Sequence, residues 1–228
     1  MLIGGFAKFS LIDYPGKTCA IIFTQGCSFR CPYCQNPELV LPEKFTEKIP
    51  IEEIIKFLNK RVGLLDAVEF TGGEPTMQAD LIEIAEKIKN MGFKIKVDTN
   101  GTNPGVIDEG LNKGAIDFVA MDIKSSIERY EEITQVNTDK EKIKRSIEII
   151  LSRAPDYEFR TTIIKGFHDK GEIEKIGGLV KGSKIFYLQK AQFVKTVKEG
   201  FKREQFTDAE LEEFKEILLK YVKDCKIR

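Results

Sequence analysis

Apolar residues along this chain fall into two alternating patterns. Short runs at Cys19 to Thr24, Ala67 to Thr71, Lys94 to Thr99, Asp117 to Met121, Phe159 to Lys165 and Ile185 to Gln189 have the length and β-branched content of strands buried on both faces. Between them lie stripes with a period of three to four residues, which predict helices packed by one face. Ile51, Ile54, Ile55, Leu58 and Val62 follow Pro50, and Leu81, Ile84, Ala85, Ile88 and Met91 end at Gly92, a proline-first, glycine-last asymmetry expected of helix termini. Ile143, Ile147, Ile150 and Leu151 make a third stripe, and Leu211, Phe214, Leu218 and Tyr221 a last one, opened by Thr207-Asp-Ala-Glu210 with the spacing of a capping box.

Six strand–helix units account for most of the chain. Parallel strands joined by right-handed crossovers build either an open doubly wound sheet or a barrel. A closed eight-unit barrel takes about 250 residues, so the expectation is an α/β fold in the form of a partial (β/α)6 TIM-type barrel with parallel strands, one side left open for a large substrate. The chain reads as a single domain over 1–228: an N-terminal hairpin extension at 1–18 with Pro15-Gly16 in a type II turn, the barrel over 19–190, and a C-terminal segment and helix over 191–228.

Charge and composition narrow the function. The 36 basic and 36 acidic residues cancel, which leaves no electrostatic footprint for nucleic acid. No run approaches the roughly 20 apolar residues of a membrane span, and the first residues lack a signal-peptide layout, so a cytoplasmic protein is expected, without nucleic-acid or membrane partners. The single histidine, His168, argues against His-rich zinc sites and Ser-His-Asp catalysis; it reads as a loop residue past the fifth strand. Of the five cysteines, Cys19 reads as a small buried apolar residue and Cys225 as a residue of the terminal helix.

The other three are crowded into Cys27-Ser-Phe-Arg-Cys31-Pro-Tyr-Cys34. An iron–sulfur cube normally takes four cysteines, so three leave one iron open to a further ligand. A zinc knuckle would need a fourth ligand from Cys19, Cys225 or His168, and zinc sites usually pair two short motifs where only one is present. The next strand ends carry Thr71-Gly-Gly-Glu-Pro75, Asp98-Thr-Asn-Gly101 and Met121-Asp-Ile-Lys124, the end of the barrel where catalytic groups collect.

Cys-x3-Cys-x2-Cys followed by Gly-Gly-Glu-Pro resembles the radical S-adenosylmethionine (SAM) enzymes. Asp13-Tyr-Pro-Gly-Lys17, Thr24-Gln-Gly-Cys27 and Tyr33-Cys-Gln-Asn36 are similar to its glycyl-radical-enzyme activating branch, above all to activating proteins of anaerobic ribonucleoside-triphosphate reductase, with pyruvate formate-lyase activating enzymes as near relatives. The resemblance implies that Cys27, Cys31 and Cys34 hold a [4Fe-4S] cluster whose fourth iron chelates SAM. It also implies that Glu74, with the backbone of Gly72 and Gly73, holds the SAM ammonium, that Lys124 and Arg160 lie near its carboxylate and ribose, and that Tyr33 lies near its adenine. Asp98 and Asp122 match carboxylates that flank SAM and, in the pyruvate formate-lyase relatives, help hold a monovalent cation. Two departures from the pattern stand out: Gln189 and Gln192 stand where some relatives present a histidine to the adenine, and Gln35 where they often have His.

The implied activity is reductive cleavage of SAM to a 5′-deoxyadenosyl radical, which takes hydrogen from a glycine of the reductase, with a flavodoxin or ferredoxin as electron donor. Three other readings stand beside it: an activase of the pyruvate formate-lyase type, a radical enzyme acting on a small molecule in the manner of deazaguanine synthases, and an iron–sulfur or zinc-binding module without catalysis.

Overall fold

The structure, a computed structural model, describes all 228 residues. One sheet of eight strands runs in chain order: β1 (Ile3–Tyr14), β2 (Lys17–Thr24), β3 (Ala67–Gly72), β4 (Lys94–Thr99), β5 (Phe118–Asp122), β6 (Asp156–Ile163), β7 (Phe186–Lys190) and β8 (Cys225–Ile227). Strands β2 to β8 are parallel, while β1 pairs antiparallel with β2. Helices cross between them: α1 (Pro37–Val40), α2 (Ile51–Asn59), α3 (Leu81–Asn90), α4 (Pro104–Asn112), α5 (Tyr130–Thr134), α6 (Lys140–Arg153), α7 (Lys170–Leu179) and α8 (Asp208–Leu218). This is the partial parallel barrel the patterning predicts, with β1 and β8 as its edges.

Three local expectations are corrected. The small N-terminal hairpin is a 12-residue strand paired from Ile3↔Thr24 to Tyr14↔Lys17, so it doubles the first barrel strand along its whole length; the turn has Gly16 at φ 70°, as a type II turn requires. Cys225 lies not in a helix but in β8, which pairs with Phe186–Leu188. Val62 and Tyr221 fall beyond the ends of α2 and α8, and Val62 is exposed.

The capping box at Thr207 forms as read: Thr207 Oγ1 accepts from Glu210 N at 3.2 Å while Thr207 N donates to Glu210 Oε2 at 2.7 Å. Asp139 and Asp169 cap α6 and α7 by simple side-chain acceptance, Asp139 from Glu141 N and Lys142 N and Asp169 from Glu172 N.

Alternation along the strands explains where the core sits. Ala20 and Ile22, Val68 and Phe70, Ile95 and Val97, Val119 and Met121, and Phe186 and Leu188 point outward into one large apolar layer shared with the helices. The opposite positions point into the barrel, where the apolar part is small: Tyr14, Cys19, Ile21, Ala67, Phe118 and Ala120. The rest of the inner face is charged. Glu69 (2 % exposed), Lys96 (2 %) and Glu158 (1 %) are buried there, and Lys96 Nζ bridges Glu69 Oε1 at 2.9 Å and Asp98 Oδ1 at 2.8 Å. Arg160 on β6 reaches Asp98 on β4 across β5, which only a strongly concave sheet permits. Arg228 lies over the Tyr187 ring, 3.4 Å from its centroid, and forks onto Glu158 with two contacts of 3.2 Å. The strands are therefore buried on both faces, but the inner face is an ion-paired lumen. No helix is long and apolar enough to cross a membrane.

Candidate functional site

Strands β2 to β7 end around a cavity of about 570 Å³ lined by Cys27, Cys31, Tyr33, Cys34, Gly72, Gly73, Glu74, Asp98, Asp122, Lys124 and Arg160. Every residue singled out in the sequence as a site candidate is brought to this one space. Its size falls within the range of small-molecule and cofactor pockets.

The cysteine loop leaves β2 at Gly26, whose φ of 98° favours glycine. Arg30 folds back to brace it, donating from Nη1 to the carbonyls of Cys27 and Phe29, both at 2.8 Å. Cys31 is buried and Cys27 and Cys34 half-buried. Burial pushes the Cys27 thiol up to about 11 and the Cys31 thiol up to about 12, and raises Cys34 as well. The three cysteines line a common cavity.

Gly72, the last residue of β3, and Gly73 after it are required by the protein's own packing. A Cβ on Gly73 would lie 2.0 Å from the Gly26 carbonyl oxygen, and one on Gly72 2.5 Å from Thr24 N. It is the backbone of the cysteine loop that crowds them. Gly73 N donates to Thr24 O at 2.8 Å and Glu74 N to Gly26 O at 2.7 Å, so the two loops are tied main chain to main chain.

Glu74 is likewise turned to the protein. Its carboxylate accepts from Thr76 N at 3.1 Å, Thr76 Oγ1 at 2.5 Å, Thr99 Oγ1 at 2.8 Å and Asn100 N at 2.6 Å. Burial raises its pKa against the pull of those hydrogen bonds. Glu74 thus staples the loop after β3 to the loop after β4. Asn100, which the sequence reading did not single out, donates from Nδ2 to Ser28 Oγ at 2.9 Å and lies 3.8 Å from Cys27 Sγ, carrying the staple on to the cysteine loop. Its position two residues after Asp98 was the available signal.

On the opposite wall, Arg160 donates from Nη2 to Asp98 Oδ2 at 2.7 Å and from Nε to Asp122 Oδ1 at 2.5 Å, and Lys124 Nζ meets Asp122 Oδ2 at 2.8 Å. Burial works against ionisation of both aspartates, but Arg160 outweighs it, with Lys96 at Asp98 and Lys124 at Asp122, and holds both below the usual carboxylate range. Beneath them, burial and the Asp98 charge push Glu69 up to about 9, against the pull of Lys96.

His168 lies in the loop after β6, as read, and is buried there. Nδ1 accepts from Ile164 N and Nε2 donates to the Lys124 carbonyl, both at 3.0 Å, which fixes the neutral tautomer and braces the Lys124 loop from behind. Gln35 and Gln189 line the cavity, as do Asp13, Asn36 and Thr162; Gln192 is exposed on the chain beyond β7.

Two buried oxygens of residues that line this space have no hydrogen-bond partner in the protein, the Tyr33 hydroxyl and Asp98 Oδ1, although the latter has Lys96 at 2.8 Å. A buried hydroxyl without a partner costs about 1–3 kcal/mol. Together with three thiols of a sulfur donor set and mixed charges on the facing wall, the residues fit a cluster plus a polar cofactor.

The radical SAM superfamily profile matches residues 21–176. A Methanocaldococcus jannaschii protein provisionally named a glycyl-radical enzyme activating enzyme is 37% identical over 236 residues, covering 100% of this chain and 95% of its own length. The pyruvate formate-lyase-activating enzyme of Clostridium pasteurianum is 33% identical over 127 residues, 54% of this chain and 52% of that protein. A GTP 3′,8-cyclase of Alkaliphilus oremlandii is 32% identical over 159 residues, 68% of this chain and 49% of the cyclase. Among solved structures, Streptococcus suis SuiB bound to S-adenosylmethionine superposes with a TM-score of 0.69 at 17% identity, over 91% of this chain and 49% of SuiB.

Proposed function

This chain belongs to the radical SAM superfamily, and from that premise we propose that it activates a glycyl radical enzyme, with anaerobic ribonucleoside-triphosphate reductase as the target. The observation that carries the reading is the convergence on one cavity of the three-thiol loop and the charged ends of β4, β5 and β6. The relative from Methanocaldococcus jannaschii, aligned along the full chain, supports the activating role.

When bound, a [4Fe-4S] cluster with SAM supplies a one-electron cleavage of the sulfonium that yields a hydrogen-abstracting 5′-deoxyadenosyl radical. Cys27, Cys31 and Cys34 would hold the cluster. Glu74 fixes the Gly72–Gly73 backbone that would meet the SAM ammonium, acting through the loop and not by its own carboxylate. Lys124 and Arg160 offer positive charge to a carboxylate and ribose hydroxyls, and Tyr33 would lie near the adenine. Asp98 and Asp122 supply the flanking carboxylates. Arg160 already stands between them with a full charge, which supports the guanidinium, in place of a monovalent cation, as their counter-charge. The chain's own work is orientation and exclusion of water around one target hydrogen.

Anaerobically reconstituted protein mixed with SAM, a reductant and the reductase should give a glycine-centred doublet by electron paramagnetic resonance, with 5′-deoxyadenosine formed stoichiometrically. Uncoupled 5′-deoxyadenosine with no protein radical on either the reductase or a pyruvate formate-lyase would refute it. A small-molecule radical reaction is the second reading, favoured by the cyclase relative; consumption of GTP in the same mixture would establish it.

A further inference from the structure

Asn100 sits between Glu74 and the cysteine loop, 6 % exposed, with its side chain fixed at both ends. The amide oxygen Oδ1 accepts from Thr102 N at 3.1 Å and from Thr102 Oγ1 at 2.8 Å. A backbone N–H can only donate, so the oxygen must face Thr102 and the NH₂ must point the other way. There Nδ2 donates to Ser28 Oγ at 2.9 Å, and Cys27 Sγ lies 3.8 Å from the same nitrogen, one N–H for each. From the main chain, Asn100 N donates to Glu74 Oε2 at 2.6 Å, a tie that a change of the Asn100 side chain leaves in place.

Of the three cysteines in the loop, only Cys27 has a side-chain N–H donor at its sulfur. The same sulfur accepts from Phe29 N at 3.4 Å. A thiolate that ligates iron shares the charge of the cluster it holds, and reduction adds one negative charge to that unit. Hydrogen bonds to the ligating sulfurs and exclusion of solvent are among the factors that set such a potential. A donor dipole aimed at the sulfur stabilises the reduced form more than the oxidised one, and burial of the amide strengthens the effect by keeping water from competing for it.

We propose that Asn100 sets the ease of reduction at the cysteine loop: through its N–H on Cys27 Sγ it raises the reduction potential of the bound cluster. This inference rests on the reading of Cys27, Cys31 and Cys34 as cluster ligands. Asn100 acts through Cys27, and Thr102 acts one step further out by holding the amide in the orientation that turns its NH₂ to the sulfur. The residue thereby joins two functions in one side chain, bracing the loop through Ser28 and tuning it through Cys27.

The test is a redox titration of reconstituted enzyme without SAM, read by the electron paramagnetic resonance signal of the reduced cluster. Titanium(III) citrate sets the poise, each titanium(III) giving up one electron to become titanium(IV) as the cluster gains it. Asn100→Leu removes the donor without adding charge, and at a fixed poise the ratio of reduced to oxidised cluster should fall on the order of tenfold, a midpoint about 59 mV lower for a one-electron couple. Asn100→Asp keeps an acceptor for Thr102 and should fall further, because a negative charge replaces the donor. Ser28→Ala removes the other partner of the same NH₂ and leaves the sulfur contact, so its ratio should stay within twofold of wild type. A ratio within twofold of wild type in either Asn100 variant, an equal fall in Ser28→Ala, or loss of iron uptake in both Asn100 variants with the fold retained by circular dichroism, which would make the residue a loop tie alone, would overturn the proposal. Absence of iron–sulfur absorbance from the reconstituted wild-type protein would instead defeat the cluster reading beneath it, before any variant is compared.

Discussion

Replacing Glu74 with alanine separates two roles for the same carboxylate. If Glu74 acted on the cofactor alone, the iron-free protein would lose little by the change. In the structure it receives four hydrogen bonds from Thr76, Thr99 and Asn100. The two threonine hydroxyls can turn to other acceptors, but the backbone N–H groups of Thr76 and Asn100 would be stranded, at about 1–3 kcal/mol each. Relief of the desolvation that raises the Glu74 pKa offsets part of that. A net loss of about 3 kcal/mol follows, on the order of a hundredfold in the folding equilibrium. Glu74→Gln should lose about half as much, since the amide oxygen can still serve Thr76 and Thr99 while its NH₂ faces the Asn100 N–H. Urea unfolding of iron-free protein, followed by circular dichroism, measures both. A Glu74→Ala variant within about 1 kcal/mol of wild type, yet defective in SAM binding once reconstituted, would refute the staple and return the carboxylate to the ligand.

Gly73→Ala should disrupt the site more than its size suggests, because the new methyl would sit 2.0 Å from the Gly26 carbonyl oxygen; iron uptake per chain should fall with the overall fold retained, and unchanged uptake contradicts the packing argument. Arg160→Met leaves Asp98 and Asp122 without their shared partner and should cost about 3–5 kcal/mol in thermal or chemical unfolding, the range for breaking a buried ion pair. Potassium should leave wild-type activity unchanged while Arg160 is present. His168 is held neutral, burial lowering its pKa below 6.5. The unfolded chain therefore takes up the proton first, so stability is full above about pH 6.5 and falls as pH drops from there toward the folded value. Unfolding midpoints of His168→Gln should lose this part of the acid dependence, and an unaltered slope would rule it out.

The parallel barrel was legible because outward-facing residues repeat along every strand and helix stripes punctuate them. What patterning hid was the inner face. Lys94-Ile-Lys-Val-Asp alternates like a half-solvated strand, and nothing local shows that Lys96 is shut between Glu69 and Asp98. Strand β8 was missed because Cys225-Lys-Ile227 is too short to carry a period, and only its pairing with β7 makes it a strand. Among the site residues, position could be read from the strand ends, since topology alone gathers them. Orientation could not: Glu74 in Gly-Gly-Glu-Pro gives no sign that it turns inward to Thr99 and Asn100, and His168 differs from a loop histidine only through the distant Lys124 carbonyl.

The ties among the loops after β2, β3 and β4 are made by main-chain amides, one carboxylate and one asparagine, none of which depends on iron. Loss of a bound cluster would thus leave its cradle standing. Refilling such a cradle would be a matter of iron and sulfide supply, without new synthesis of the chain.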